Sequence, residues 1–154
     1  MTKLLGFKKE ELMKDIALAR FSSVLKRLPK GLKTDISEKG VNLSGGEKQR
    51  LALARGIFAA KTSDFILLDE PTSSVDMGNE RAIYEGLLKR FADRCIISSI
   101  HKLHLLPLFR YVYVFRNGNV VAEGTPAALM KEGGFLHPLW VREKAGLEKA
   151  EAGK

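Results

Sequence analysis

Residues 43–50 read Leu43-Ser44-Gly45-Gly46-Glu47-Lys48-Gln49-Arg50. Two glycines at the head of a helix let the backbone approach an anion closely, while free N–H groups and the positive end of the helix dipole point at it. Ser44 followed three residues later by Glu47 is a capping-box pattern, so Ser44 is the expected N-cap and its hydroxyl is available to the same anion. A second cluster begins where Phe65-Ile66-Leu67-Leu68 runs into Asp69-Glu70-Pro71. Asp69, a carboxylate at a strand end, suits a Mg2+ ion held through water, because a hard cation takes oxygen ligands and keeps several waters. Its neighbour Glu70 suits orienting or deprotonating an attacking water, and Pro71 should bias Glu70 towards extended backbone. His101 follows a second apolar run and can donate a hydrogen bond to a transferring phosphate as charge develops on it. Together these residues describe nucleotide chemistry, in which positioning and charge stabilisation matter more than covalent steps.

Hydrophobic periodicity supplies the elements that hold these groups. Lys8 to Lys26 carries Leu12, Ile16, Ala17, Ala19 and Val24 near helical spacing, with Glu10, Glu11, Lys14 and Asp15 between them. This predicts one amphipathic helix ended by Pro29 and Gly31, followed by a polar connector from Lys33 to Asn42. Leu51, Ala54, Ile57 and Phe58 predict a helix from Ser44 to about Ala60. The continuous apolar run Phe65 to Leu68 has the pattern of a strand buried on both faces of a parallel sheet. A helix from Asn79 to Phe91 places Ile83, Leu87, Leu88 and Phe91 on one face, and Arg94 to Ile100 is a second apolar strand. Strand, helix, strand implies a parallel sheet with a right-handed crossover, and ligands bind such sheets at the carboxyl ends of their strands. Asp69, Glu70 and His101 all fall there. Tyr111, Tyr113 and Phe115 alternate with Val112 and Val114 before Asn117-Gly118, which predicts a tight hairpin. Thr125-Pro126 opens a short helix through Met130, with Phe135, Leu139 and Trp140 expected to dock the end.

Composition narrows the class. A chain of 154 residues with 45% hydrophobic and 29% charged content builds one domain with a real core. Only the tail after Arg142 is expected to be loosely held. Apolar runs stop far short of the roughly 18 residues a membrane-crossing helix needs. The single cysteine, Cys95, lies in an apolar run, which predicts a buried inert thiol in a reducing compartment. Lysine and arginine exceed acidic residues by 26 to 18, but they are spread along the chain with no interleaved aromatic cluster. The net charge of +8 therefore reads as a solvated basic face, with no nucleic acid expected as a partner.

These motifs, in this order, resemble the C-terminal part of an ABC-family nucleotide-binding domain of the exporter type. Leu43, Ser44, Gly45, Gly46 and Glu47 match the family's signature loop, with Glu47 where glutamine is common, and Gly31, Thr34, Glu38 and Gly40 precede it as in exporters. Residues 65 to 76 resemble Walker B and the D-loop, and His101 stands where the switch histidine is expected, after Ile100 in place of the usual threonine. The resemblance implies an α/β fold, a partial P-loop NTPase (RecA-like) parallel sheet with flanking helices, part of the ABC helical subdomain and a C-terminal β-hairpin. It divides the chain into helical subdomain (1–44), ATPase core (45–142) and a loosely ordered tail (143–154). It also implies ATP and Mg2+ as cofactors and catalytic roles for Glu70 and His101. Asp69 would be the metal carboxylate, the signature would meet a nucleotide held by the opposite subunit, and Asp76 would be the D-loop aspartate. On local grounds Asp76 reads equally as a turn residue before the next helix.

No stretch of the sequence fits G-x-x-x-x-G-K-[ST], and by the resemblance Lys3 to Phe7 starts shortly after the Q-loop. The expected function is therefore the C-terminal part of an ATP-hydrolysing ABC transporter subunit, inactive without its Walker A half. Its partners would be that half or a second nucleotide-binding domain, and ABC transmembrane domains that hold it on the cytoplasmic face of a membrane. Two alternatives stand beside it: a non-enzymatic partner lending its signature loop to a complete domain, and an ABC-type DNA-maintenance ATPase. The exporter phrasing and the absence of coiled-coil heptads weigh against the last. Without the sheet's N-terminal strands, the Phe65 to Leu68 strand should expose apolar surface or an unpaired edge. Isothermal titration of the 154-residue chain with ATP should show no tight binding, because no backbone nest or P-loop lysine is present to grip the phosphates.

Overall fold

The computed structural model describes residues 9–36, 43–73 and 75–152, which form two compact units that divide between Ser99 and Ile100. Length and composition predict a single compact unit, and two are found. Lys3 to Phe7, the connector residues Glu38 and Gly40, and Ser74 lie outside the described residues.

The single amphipathic helix expected over Lys8 to Lys26 is two helices, α1 (Lys9–Leu18) and α2 (Ser22–Arg27). The break falls at Arg20, which is left-handed at φ 55°. Phe21 N–H donates to Ile16 O (3.0 Å) and Arg20 N–H to Ala17 O (3.0 Å), the paired bonds of a Schellman motif. Ile16 and Phe21 are both buried, so apolar burial on either side of the turn holds a non-glycine residue in a conformation it otherwise avoids. Asp15, expected among the solvated positions, is 1% exposed and pairs with Lys61 (3.0 Å) and Arg90 (3.6 Å). A buried carboxylate persists only with such partners.

The rest of this unit runs α3 (Gly45–Ala59), β1 (Phe65–Asp69), α4 (Met77–Arg90) and β2 (Cys95–Ser99). β1 and β2 pair in parallel, in register from Phe65 with Cys95 to Asp69 with Ser99. Leu53, Ala54 and Ile57 of α3, Ile83 and Leu87 of α4, and Ile66 of β1 share one core with Ile16, Phe21 and Val24. Strand β1 is covered on one face only: Ile66 is buried, whereas Phe65 and Leu67 are 74% and 79% exposed. Ile97 and Cys95 continue the open face, the apolar exposure expected of a strand without the sheet's N-terminal strands, whereas the buried thiol expected of Cys95 is not found. A continuous apolar run fixes a strand, but the elements packed around it decide how many of its faces are buried. Tyr84 and Ser98 tie α4 to β2 by a hydroxyl hydrogen bond (3.0 Å).

In the second unit β3 (Val112–Arg116) and β4 (Asn119–Gly124) form the expected antiparallel hairpin. Asn117 and Gly118 at its tip have φ of 51° and 76°, the pair of positive values a two-residue turn of this kind requires. Thr125 caps α5 (Pro126–Met130) with Pro126 in its first turn. Leu106, Leu129 and Leu136 form the core here, and Leu136 takes the buried place expected of Phe135 and Leu139, which are exposed. The stretch after Arg142, expected as a loose tail, is helical within α6 (His137–Ala152). Glu143 on α6 accepts from the N–H groups of Leu103 (3.0 Å) and His104 (2.9 Å), capping the 3-10 turn Leu103–Leu108.

Leu87→Ala should lower unfolding free energy by about 2–5 kcal/mol, since it opens a cavity in the core. Phe65→Ser on the open strand face should stay within about 0.5 kcal/mol. Urea denaturation of the two variants checks both figures, and equal losses would contradict the one-sided burial of β1.

Candidate functional site

Ser44 has extended backbone (φ −60°, ψ 162°) and α3 begins at the next residue. Its hydroxyl accepts from Glu47 N–H (3.4 Å) while Glu47 Oε2 accepts from Ser44 N–H (2.9 Å), completing the capping box. Leu43 is buried in the core and anchors the loop, whereas Ser44 and Gly45 are exposed. A Cβ placed on Gly45 would meet nothing within 4 Å, so the chain itself does not fill the space above this backbone. Of the first amides of α3, that of Glu47 is satisfied by the capping box and that of Lys48 by Ser44 O (2.9 Å), while those of Gly45 and Gly46 have no partner within the helix. Glu47 Oε1 forms an ion pair with Arg27 of α2.

The second cluster sits at the carboxyl end of β1. Ser99 Oγ donates to Asp69 Oδ1 (2.7 Å) and accepts from Glu70 N–H (3.1 Å), so one hydroxyl orients the first carboxylate and ties down the backbone of the second. Glu70 is left-handed at φ 41°, not extended as its position before proline predicts. The surrounding bonds overrule that preference: Gln49 Nε2 on α3 donates to Glu70 O (3.0 Å) and to Ser73 Oγ (2.8 Å). Thr72 Oγ1, just beyond, donates to the buried Glu80 (2.8 Å). Strain of this kind costs about 1–3 kcal/mol and persists where the surroundings over-determine the backbone.

Asp76 is the N-cap of α4, accepting from Asn79 Nδ2 (2.7 Å) and from Asn79 N–H (3.0 Å). Those bonds, the side-chain one foremost, hold its carboxyl below the ordinary 3.8. His101 belongs to the second compact unit and is exposed, two residues past the end of β2. Among the described residues no group of three or more histidines, cysteines or carboxylates is placed to hold a metal.

A family profile described as "ABC transporter" matches residues 6–73. ATP-binding cassette sub-family B member 6 of Mesocricetus auratus is 40% identical over 78% of this chain. An ATP-dependent lipid A-core flippase of Photobacterium profundum is 36% identical over 84% of it. A bacterial Atm1-family ABC exporter, solved with ATP bound, superposes with a TM-score of 0.73 and 30% identity over 90% of the chain. The chain is a portion of an ABC nucleotide-binding domain. It spans 14%, 22% and 24% of those three proteins in turn. Its α/β arrangement, with a small parallel sheet, flanking helices and a hairpin, is that of a partial P-loop NTPase core. The ABC family is one of ATP-binding ATPases. No described helix is long and apolar enough to cross a membrane.

Three residues bonded to these clusters carry no signal in the sequence. Gln49 and Ser99 carry no motif of their own, and only the fold brings them to Glu70 and Asp69. Arg27 lies outside the signature in sequence and meets it through Glu47. Asp76→Asn tests the cap: the carboxylate's stabilisation is present above its unfolded pKa and is lost as pH falls through the lower folded value. Urea midpoints measured from pH 6 downward should drop less steeply below the ordinary 3.8 in the variant than in the parent.

Proposed function

We propose that this chain supplies the signature, Walker B and D-loop portions of an ABC transporter ATPase that couples ATP hydrolysis to transmembrane transport. The observation that carries the reading is the Gln49 carboxamide, which holds the helix headed by Ser44, Gly45 and Gly46 against the turn bearing Glu70. Ser44 and the amides of Gly45 and Gly46 present donors to the terminal phosphate of a nucleotide held by another nucleotide-binding domain. Asp69 would hold Mg2+ through water. One carboxylate oriented by Ser99 suits a cation that keeps its waters and takes its remaining oxygens from phosphates, with no all-protein cage needed. When bound, Mg2+ neutralises charge on the phosphates.

Glu70 orients or deprotonates the attacking water, its carboxylate aimed by a backbone fixed at both N–H and C=O. His101 donates to the transferring phosphate and Asp76 links the two sites of a dimer, in addition to capping α4. The remaining partners are the phosphate-gripping half of the domain and the transmembrane segments, which hold the assembly on the cytoplasmic face. Glu70→Gln in a complete domain carrying this stretch should lower ATP turnover by about 10²–10⁴-fold, the usual contribution of a positioned general base, while ATP binding is kept. Unchanged steady-state turnover would remove Glu70 from the mechanism.

A further inference from the structure

The signature loop carries a carboxylate where it should repel its ligand. Glu47 sits in the first turn of α3, three residues from Ser44, and a full negative charge there opposes the positive potential that the helix end offers a phosphate. The side chain nevertheless has a fixed place, because Oε2 closes the capping box on Ser44 N–H. Its other oxygen, Oε1, is taken by Arg27, which reaches over from the last turn of α2. The arginine side chain is 61% exposed and Glu47 15%, so the pair lies where an anion arriving at Ser44 and Gly45 would sense both charges. An ion pair this open adds little to stability. Its consequence is electrostatic: the loop keeps the geometry a glutamate provides without its net charge.

We propose that Arg27 is a positioning residue of the signature loop, which cancels the charge of Glu47 and thereby lets the amides of Gly45 and Gly46 donate to a phosphate. This rests on the reading of the loop as a phosphate contact. Arg27 acts through Glu47, so its importance should vanish when position 47 is neutral.

The test is a double-mutant cycle on the full 154-residue chain, with Arg27→Gln, Glu47→Gln and both together, titrated with inorganic phosphate at constant ionic strength. The Gly45 and Gly46 amide shifts are followed by NMR. Arg27→Gln alone should weaken phosphate binding about fivefold, the scale of one screened charge at the edge of a protein. Glu47→Gln should bind at least as well as the parent, and the double variant should recover to the level of Glu47→Gln. Equal weakening by Arg27→Gln in both backgrounds would show that the arginine touches phosphate directly, and no weakening in either would show that it is irrelevant; both results overturn the proposal. No shift at Gly45 or Gly46 in the parent chain would instead sink the phosphate reading of the loop and this inference with it. Variants whose amide spectra lose dispersion are replaced by Arg27→Met and Glu47→Met, for which the same pattern of recovery is required.

Discussion

The place where α3 starts governs much of the N-terminal unit. Reciprocal bonds between Ser44 and Glu47 fix the first helical residue at Gly45, and every later side chain of α3 inherits its direction from that point. One helical turn on, Gln49 reaches Glu70 and Ser73; two and three turns on, Leu53, Ala54 and Ile57 enter the core. The Gln49 bonds thereby join the loop at the head of α3 to the turn that follows β1. The capping box therefore determines more than the end of a helix. It sets the relation between two pieces of the candidate site that lie more than twenty residues apart in sequence.

Neighbouring carboxylates, Asp69 and Glu70, are given different surroundings by the same few groups. Asp69 completes a regular strand and receives the Ser99 hydroxyl. Glu70 departs from the strand through a left-handed backbone, held by Ser99 on its N–H and Gln49 on its carbonyl. The buried Thr72 to Glu80 hydrogen bond anchors the chain just beyond it. Without that frame the residue before a proline would relax to extended geometry. The strain is thus local and the bonds that sustain it come from α3, β2 and α4.

Burial in the N-terminal unit is one-sided. The inner face of β1 and β2 meets α3 and α4 through Ile66, Leu68 and Ile96, while Phe65, Leu67 and Ile97 stand in solvent on the other. Stability of the unit accordingly depends on the helices around Ile83 and Leu87, with Asp15, Lys61 and Arg90 forming an ionic contact beside them. The second unit has its own small core around Leu129, and its 3-10 turn is capped from α6 by Glu143.

Much of this was legible in the amino-acid order. The capping box, the strand entering Asp69, the helix after Asp76, the Asn117-Gly118 turn and the Thr125-Pro126 helix start are all local, because each depends on groups within four residues of one another. Sequence also carried the family's motifs, and through them the expectation of nucleotide chemistry. Tertiary structure decided the remainder: the break at Arg20, the left-handed Glu70, the burial of Asp15, the exposure of Cys95, and the helix beyond Arg142. It also decided the partners of Glu47, Asp69 and Glu70, namely Arg27, Ser99 and Gln49. The division has a physical cause. Periodicity and capping record what a residue's near neighbours require of it, whereas burial, strain and long-range hydrogen bonds exist only once distant segments have packed together.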